Sequence, residues 1–237
     1  KCPADLTQTS LRNPDPNVAY PCRTARSWPA PYATDTLALY GFDTLKFDEQ
    51  WQASVGLRWD NYRTSGHDKK KQGYSRTDNL FNYQLGLAYK PVPQGTIYAS
   101  YGTSSTPSAV AGATASDILR KSSDEAAAPE KSRSVEAGVK WLVLDERLTL
   151  TGAVFQDTRR NTNIEVLPNE YEQAGQTRVR GIELGFSGAI TPAWNIYGGY
   201  TFLDSKLIRG GRKDIGAEGQ DLPNTPRNAF SLWSTYK

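Results

Sequence analysis

Methionine is absent from this 237-residue chain, histidine occurs once and cysteine twice. The single histidine, His67, excludes a multi-histidine metal centre, so no metal ligand is assigned. No stretch of roughly 18 apolar residues exists, which excludes a transmembrane helix. The patterns GxSxG, GxGxxG, HExxH and the P-loop are missing, and with them the commonest signatures of hydrolases, nucleotide binders and zinc proteases. Asp124 and Glu125 are adjacent acids in an alanine- and serine-rich stretch and read as solvated, so no catalytic residue is assigned. The excess of cations is small, a net charge of +3, and gives no argument for nucleic acid.

The two cysteines, Cys2 and Cys22, bracket a segment rich in Pro, Asp and Asn that has no hydrophobic period. A disulfide closing this loop would stabilise the chain by about 3 kcal/mol on the loop-entropy account. It would also imply an oxidising compartment such as a periplasm or cell surface. Free thiols are the alternative. We expect the disulfide, with residues 1–33 as one surface loop. Lys1 is not preceded by a signal peptide and Thr235–Lys237 sits inside a strand-like run, so the chain reads as a piece of a longer protein.

What the sequence does have is alternation. Trp51, Ala53, Val55, Leu57 and Trp59 are apolar, and Gln52, Ser54, Gly56, Arg58 and Asp60 between them are polar or tiny. This is a strand with one apolar and one wet face, closed at both ends by indole. Similar runs cover Thr36–Leu45, Leu80–Lys90, Thr96–Gly102, Arg133–Trp141, Leu148–Phe155, Arg180–Gly188, Trp194–Phe202 and Arg227–Tyr236. Short polar links (46–50, 91–95, 143–147, 191–193) alternate with long ones (63–79, 103–132, 158–177, 204–226).

The mean hydropathy of −0.61 would suggest a soluble protein. A barrel that crosses a bilayer by strands escapes that test. About ten residues at roughly 3.3 Å, tilted near 45°, rise about 23 Å, close to the apolar band of an outer membrane. Arg58, Asp60, Glu136, Lys140 and Glu183 fall on the wet face, costly in a dry core and cheap in a water-filled lumen. The expected fold is therefore all-β, an antiparallel transmembrane β-barrel with short periplasmic turns and long extracellular loops over 34–237. About nine strands lie in this chain, too few to close a wide ring. The expected interface aromatics are Trp51, Trp59, Tyr89, Trp141 and Trp194. A soluble propeller or sandwich is the alternative.

Four segments carry a resemblance. They are Ala128-Pro-Glu-Lys-Ser-Arg-Ser-Val-Glu-Ala-Gly-Val-Lys-Trp141, Tyr171-Glu-Gln-Ala-Gly175 with Arg178-Val-Arg-Gly-Ile-Glu-Leu184, Leu222-Pro-Asn-Thr-Pro-Arg-Asn-Ala-Phe-Ser-Leu-Trp233, and Tyr98-Ala-Ser-Tyr-Gly-Thr-Ser104. Together they resemble TonB-dependent siderophore receptors, closest to the catecholate subgroup. The resemblance implies a barrel of about 22 strands around an N-terminal plug. It implies import of a ferric siderophore across the Gram-negative outer membrane, driven by TonB through the plug, which this chain lacks. Iron would travel inside the chelate, with no cofactor held by the protein. Lipid and lipopolysaccharide would surround the wall, and no nucleic acid is expected. A passive channel, or a receptor for another cargo such as cobalamin, haem or a sugar, stays open.

An anionic, flat, aromatic chelate would be held by guanidinium or ammonium groups and aromatic rings. The loop candidates are Arg23, Arg26, Trp28, Tyr32, Tyr74, Arg76, Arg120, Lys121 and Tyr171. The junction motifs read mainly as folding elements. Gly138, Gly181 and Gly185 are expected to leave room on the lumen side for a plug backbone.

Overall fold

The computed structural model describes residues 32–67, 73–107, 128–167, 170–210 and 218–237. They form nine strands: β1 Tyr32–Lys46, β2 Trp51–His67, β3 Gly73–Val92, β4 Gly95–Thr106, β5 Glu130–Val143, β6 Leu148–Leu167, β7 Glu170–Thr191, β8 Trp194–Arg209 and β9 Asn228–Tyr236. They make one antiparallel sheet in which each strand pairs with the next in sequence, from β1 to β9.

Directly paired residues share a face, so the register assigns every side chain of the wall. Val55 pairs with Leu85, Leu85 with Tyr101 and Tyr101 with Val135. Val139 pairs with Gly152, Gly152 with Leu184 and Leu184 with Tyr200. This apolar face has no second layer: Leu57, Leu85, Val135, Val139, Ile182 and Leu184 are all exposed. Among the described residues, Leu80 and Leu148 alone make up the buried hydrophobic set. A sheet with a continuous apolar face and almost no core is stable only against an apolar solvent.

The tight turns have local causes. Asp48 Oδ1 accepts from the backbone N–H groups of Gln50 (2.8 Å) and Trp51 (2.6 Å), fixing the β1–β2 link. Leu144, Asp145 and Glu146 take φ of 55°, 56° and 65° between β5 and β6. There the Arg147 Nε donates to the Leu144 carbonyl at 2.9 Å. Successive turns are staggered. Trp51 pairs with Tyr89, yet β3 runs on to Val92; Gly95 pairs with Trp141, yet β5 runs on to Val143; Leu148 pairs with Gly188, yet β7 runs on to Thr191. Such a steady offset is the shear of tilted barrel strands.

The strands outrun the sequence expectation on the long-loop side. β2 reaches His67 and β3 starts at Gly73, and β6 and β7 extend to Leu167 and from Glu170. The expected loops 63–79 and 158–177 are mostly strand. Above the bilayer both faces meet water, so Arg63, Ser65, Ser75 and Thr77 carry no apolar alternation although they pair in register. β1 opens at Tyr32, just before the expected boundary at 34.

The glycine expectation is also corrected. The space above Gly138 is taken by the ring of its pair-mate Tyr98: a Cβ there would meet the Tyr98 hydroxyl at 2.6 Å. A Cβ on Gly185 would meet Thr151 Oγ1 at 2.5 Å, and one on Gly181 would run into the Phe202 backbone carbonyl, with the Leu203 and Phe155 side chains at 3.0 Å. Gly138 and Gly185 seat neighbouring side chains across strands, a device that pins register, and Gly181 admits a neighbouring backbone. The Tyr98 hydroxyl continues past Gly138 to donate to Glu136 Oε1 at 2.6 Å.

Candidate ligand-facing wall

The polar face changes character along β1–β3. Near the turns it is small: Ser54, Gly86 and Ser100 pair across β2, β3 and β4. Toward the long loops it carries Tyr40 opposite Arg58, Ala38 opposite Asp60, Thr36 opposite Tyr62, and Thr34 opposite Thr64. On β3 the same rows continue as Asn82, Leu80, Asp78 and Arg76.

Charge here is closely paired. Arg58 Nε donates to Asp60 Oδ2 at 2.8 Å and Nη2 to Oδ1 at 2.7 Å. Its guanidinium carbon lies 5.8 Å from the centre of the Tyr40 ring. Arg76 Nε donates to Asp78 Oδ1 at 2.9 Å. The Thr34 and Thr64 hydroxyls are 3.2 Å apart. Asp60, Thr64 and Asp78 are buried, as is Leu80, whereas the Arg58 side chain stays half exposed. Tyr40, Phe42, Gly56, Arg58, Asn82 and Gln84 line one shallow recess. The carboxylates thus fix the guanidinium planes, and the Nη1 group of Arg58 remains outside the pair for an anionic oxygen. Phenol and guanidinium together suit a flat, electron-rich anion.

Of the expected ligand residues, Arg76 stands on this wall. The register puts Tyr32, Gly66 and Tyr74 in one row above it, so three candidates from two distant segments share one corner of the sheet. Tyr171 pairs with Glu165 at the far ends of β6 and β7, away from that group. Arg23, Arg26, Trp28, Arg120 and Lys121 lie outside the described residues, as does the Cys2–Cys22 pair. Tyr40, Arg58 and Tyr62 were not among the sequence candidates. Continuing the two-residue count of β2 past Asp60 would have found Tyr62.

On the other face, aromatic rings form two bands. Trp51 stacks on Tyr89 with centroids 4.5 Å apart. The Trp141 ring covers Gly95, and Trp194 Nε1 donates to Ser234 Oγ at 2.8 Å. These sit at the turn ends. Eight residues further along β2, Trp59 pairs with Phe81, and Tyr83 stacks on Tyr101 at 5.7 Å. The two bands are roughly 20 Å apart along the membrane normal for strands tilted near 40°.

The family described as TonB dependent receptor-like, beta-barrel matches residues 4–237. The chain is 55% identical to the probable TonB-dependent receptor BfrD of Bordetella pertussis over 96% of its own length and 32% of that protein. It is 31% identical to the catecholate siderophore receptor Fiu of Escherichia coli K12, over 99% of this chain and 34% of Fiu. The solved structure of the siderophore receptor PiuA from Acinetobacter baumannii superposes with a TM-score of 0.73 at 30% identity, covering 86% of this chain and 31% of that one. The chain spans about a third of the length of these relatives. The described residues form one antiparallel sheet with an apolar face and a charged face, and the chain belongs to the TonB-dependent receptor β-barrel family of the Gram-negative outer membrane.

Proposed function

We propose that the receptor containing this chain captures a ferric siderophore of the catecholate kind at its extracellular mouth and imports it with energy from TonB. One observation carries the reading: Arg58, held by Asp60 beside Tyr40, stands on the polar wall just below the loops, with Tyr62 and Arg76 on the same face. Fiu, a catecholate siderophore receptor by name, supports the choice of cargo. Iron is carried inside the chelate. The wall makes and breaks no bond; it presents donors and rings, and a plug supplied elsewhere in the receptor controls passage. The segment before β1, closed by a Cys2–Cys22 disulfide, is proposed to belong to the same mouth.

The test is binding and uptake by the whole receptor. The ferric catecholate should bind more tightly than the iron-free chelate, uptake should stop without TonB, and Arg58→Ala should weaken binding by about tenfold, the worth of one charge-assisted contact. Uptake that persists without TonB makes the protein a passive channel. TonB-dependent uptake of a chelate without catechols overturns the cargo alone.

A further inference from the structure

One carboxylate stands on the wrong face of the wall. Asp43 pairs with Val55, Val55 with Leu85, Leu85 with Tyr101 and Tyr101 with Val135, one outward row across β1–β5. Val55 is four residues from Trp51 and four from Trp59, so Asp43 lies in the middle of the apolar band, roughly 10 Å from either aromatic row for strands tilted near 40°. The other outward charges on the described strands lie toward the loops, past the last apolar position: Asp35 past Leu37, Arg63 past Trp59, Arg133 past Val135 and Arg180 past Ile182. Asp43 instead has apolar residues on both sides along β1, Leu39 and Leu45.

Its own sheet does not neutralise it. The Asp43 Oδ1 accepts the N–H of Thr44 at 2.8 Å, and no cation pairs with it among the described residues. Across the strand pair it meets Val55, flanked by Ala53 and Leu57. Ionisable groups at this depth are costly and are found with partners. Beside it, Leu39, Gly41, Val55, Leu57 and Phe81 line an outward recess of about 520 Å³, which Gly41 keeps open: an added Cβ there has no atom within 4 Å.

β1 is paired on one edge only among the described residues. Its other edge carries backbone N–H and C=O groups through the apolar band, where groups left unpaired are prohibitive. The chain spans about a third of its relatives, and another strand of the receptor has to cover that edge. We propose that this neighbouring strand presents an outward-facing arginine or lysine that ion-pairs with Asp43 inside the apolar band. The aliphatic stem of such a side chain packs on Leu39 and Leu57 in the recess, and its charge ends on the carboxylate. The pair keys the register of the seam. A slip of one residue would turn the cation to the lumen and leave Asp43 alone in hydrocarbon.

The test uses the whole receptor in lipid bilayers. The sequence of the strand paired with the free edge of β1 should carry lysine or arginine at an outward position opposite or diagonal to Asp43; a strand with neither overturns the proposal. Asp43→Leu strands that cation and should lower the temperature at which the folded barrel loses its heat-dependent gel mobility. A carboxylate without a partner would be relieved by leucine, so an unchanged or raised temperature overturns the proposal. Leucine at the partner cation, added to Asp43→Leu, should recover most of the loss, because removing both members of a pair costs less than removing one. This double variant also decides the case in which Asp43→Leu alone fails to fold, and its failure to recover overturns the pairing. In the parent receptor, isotope-edited infrared spectra should show Asp43 as a carboxylate; a protonated acid overturns it as well. The seam lies on the face away from the cargo, so loss of siderophore binding leaves this outcome distinguishable.

Discussion

Arg58 and Asp60 stand two residues apart on one strand and close a two-point ion pair, with Nε and Nη2 at 2.8 and 2.7 Å from the two carboxylate oxygens. The pair is lopsided. The Arg58 side chain is 50% exposed and the Asp60 side chain 5%. Removing the arginine strands a buried carboxylate, whereas removing the acid leaves a guanidinium that water can solvate. Arg58→Met should therefore lower the urea midpoint more than Asp60→Asn does. Urea unfolding of the two variants checks the order; equal losses would contradict it.

Gly188 has a backbone φ of +140°, and a Cβ there would run into the Arg147 carbonyl, which already accepts the Ala189 N–H at 2.9 Å. Gly188→Ala should cost about 2 kcal/mol or more. At Gly41 the space a methyl group would fill has no neighbouring atom within 4 Å, and the φ is ordinary. Gly41→Ala should stay within about 0.5 kcal/mol of the parent. Thermal unfolding of both variants under one set of conditions separates strain from a general intolerance of alanine.

Lys206 holds the Asp221 carboxyl below its ordinary pKa, first through the 2.6 Å hydrogen bond and then through charge, with Arg227 adding to it at 3.5 Å. The link ties residues 218–222 to β8, where the Gly219 N–H donates to the Leu207 carbonyl at 2.7 Å. A lowered folded pKa stabilises above the unfolded-state value, and the contribution is lost as pH falls through the folded value. Protection of the Gly219 amide against exchange should be flat from about pH 7 to 5 and decline below about pH 4. Asp221→Asn should lower it throughout. A decline already at about pH 6 would point to another group.

The strand from Trp51 to Asp60 is legible in the sequence because a bilayer imposes a strict two-residue period on it. The turns are legible too, since Asp48 and Pro93 mark them chemically. Ser65 and Thr77 are not, because a strand wetted on both faces looks like a loop. The meeting of Tyr40 with Arg58, and of Tyr62 with Asp78, depends on register across two connections that no single strand encodes. The same holds for the row of Arg133, Thr158, Arg178 and Lys206, whose members lie in four strands.

Register breaks occur at Tyr89/Val92, Arg160/Thr162, Thr162/Asn163, Glu165/Leu167, Gln176/Thr177 and Ala189/Thr191, and none falls between the two aromatic bands. Within that interval the wall behaves as a reading frame. One inserted residue would turn every later side chain of its strand to the opposite medium, sending carboxylates into hydrocarbon and isoleucines into the channel. Past Arg160, where either frame is wetted, such a slip is silent. Length variation among related walls should therefore accumulate at the rims, and the mouth can be rebuilt for new cargo without rewriting the part that holds it in the membrane.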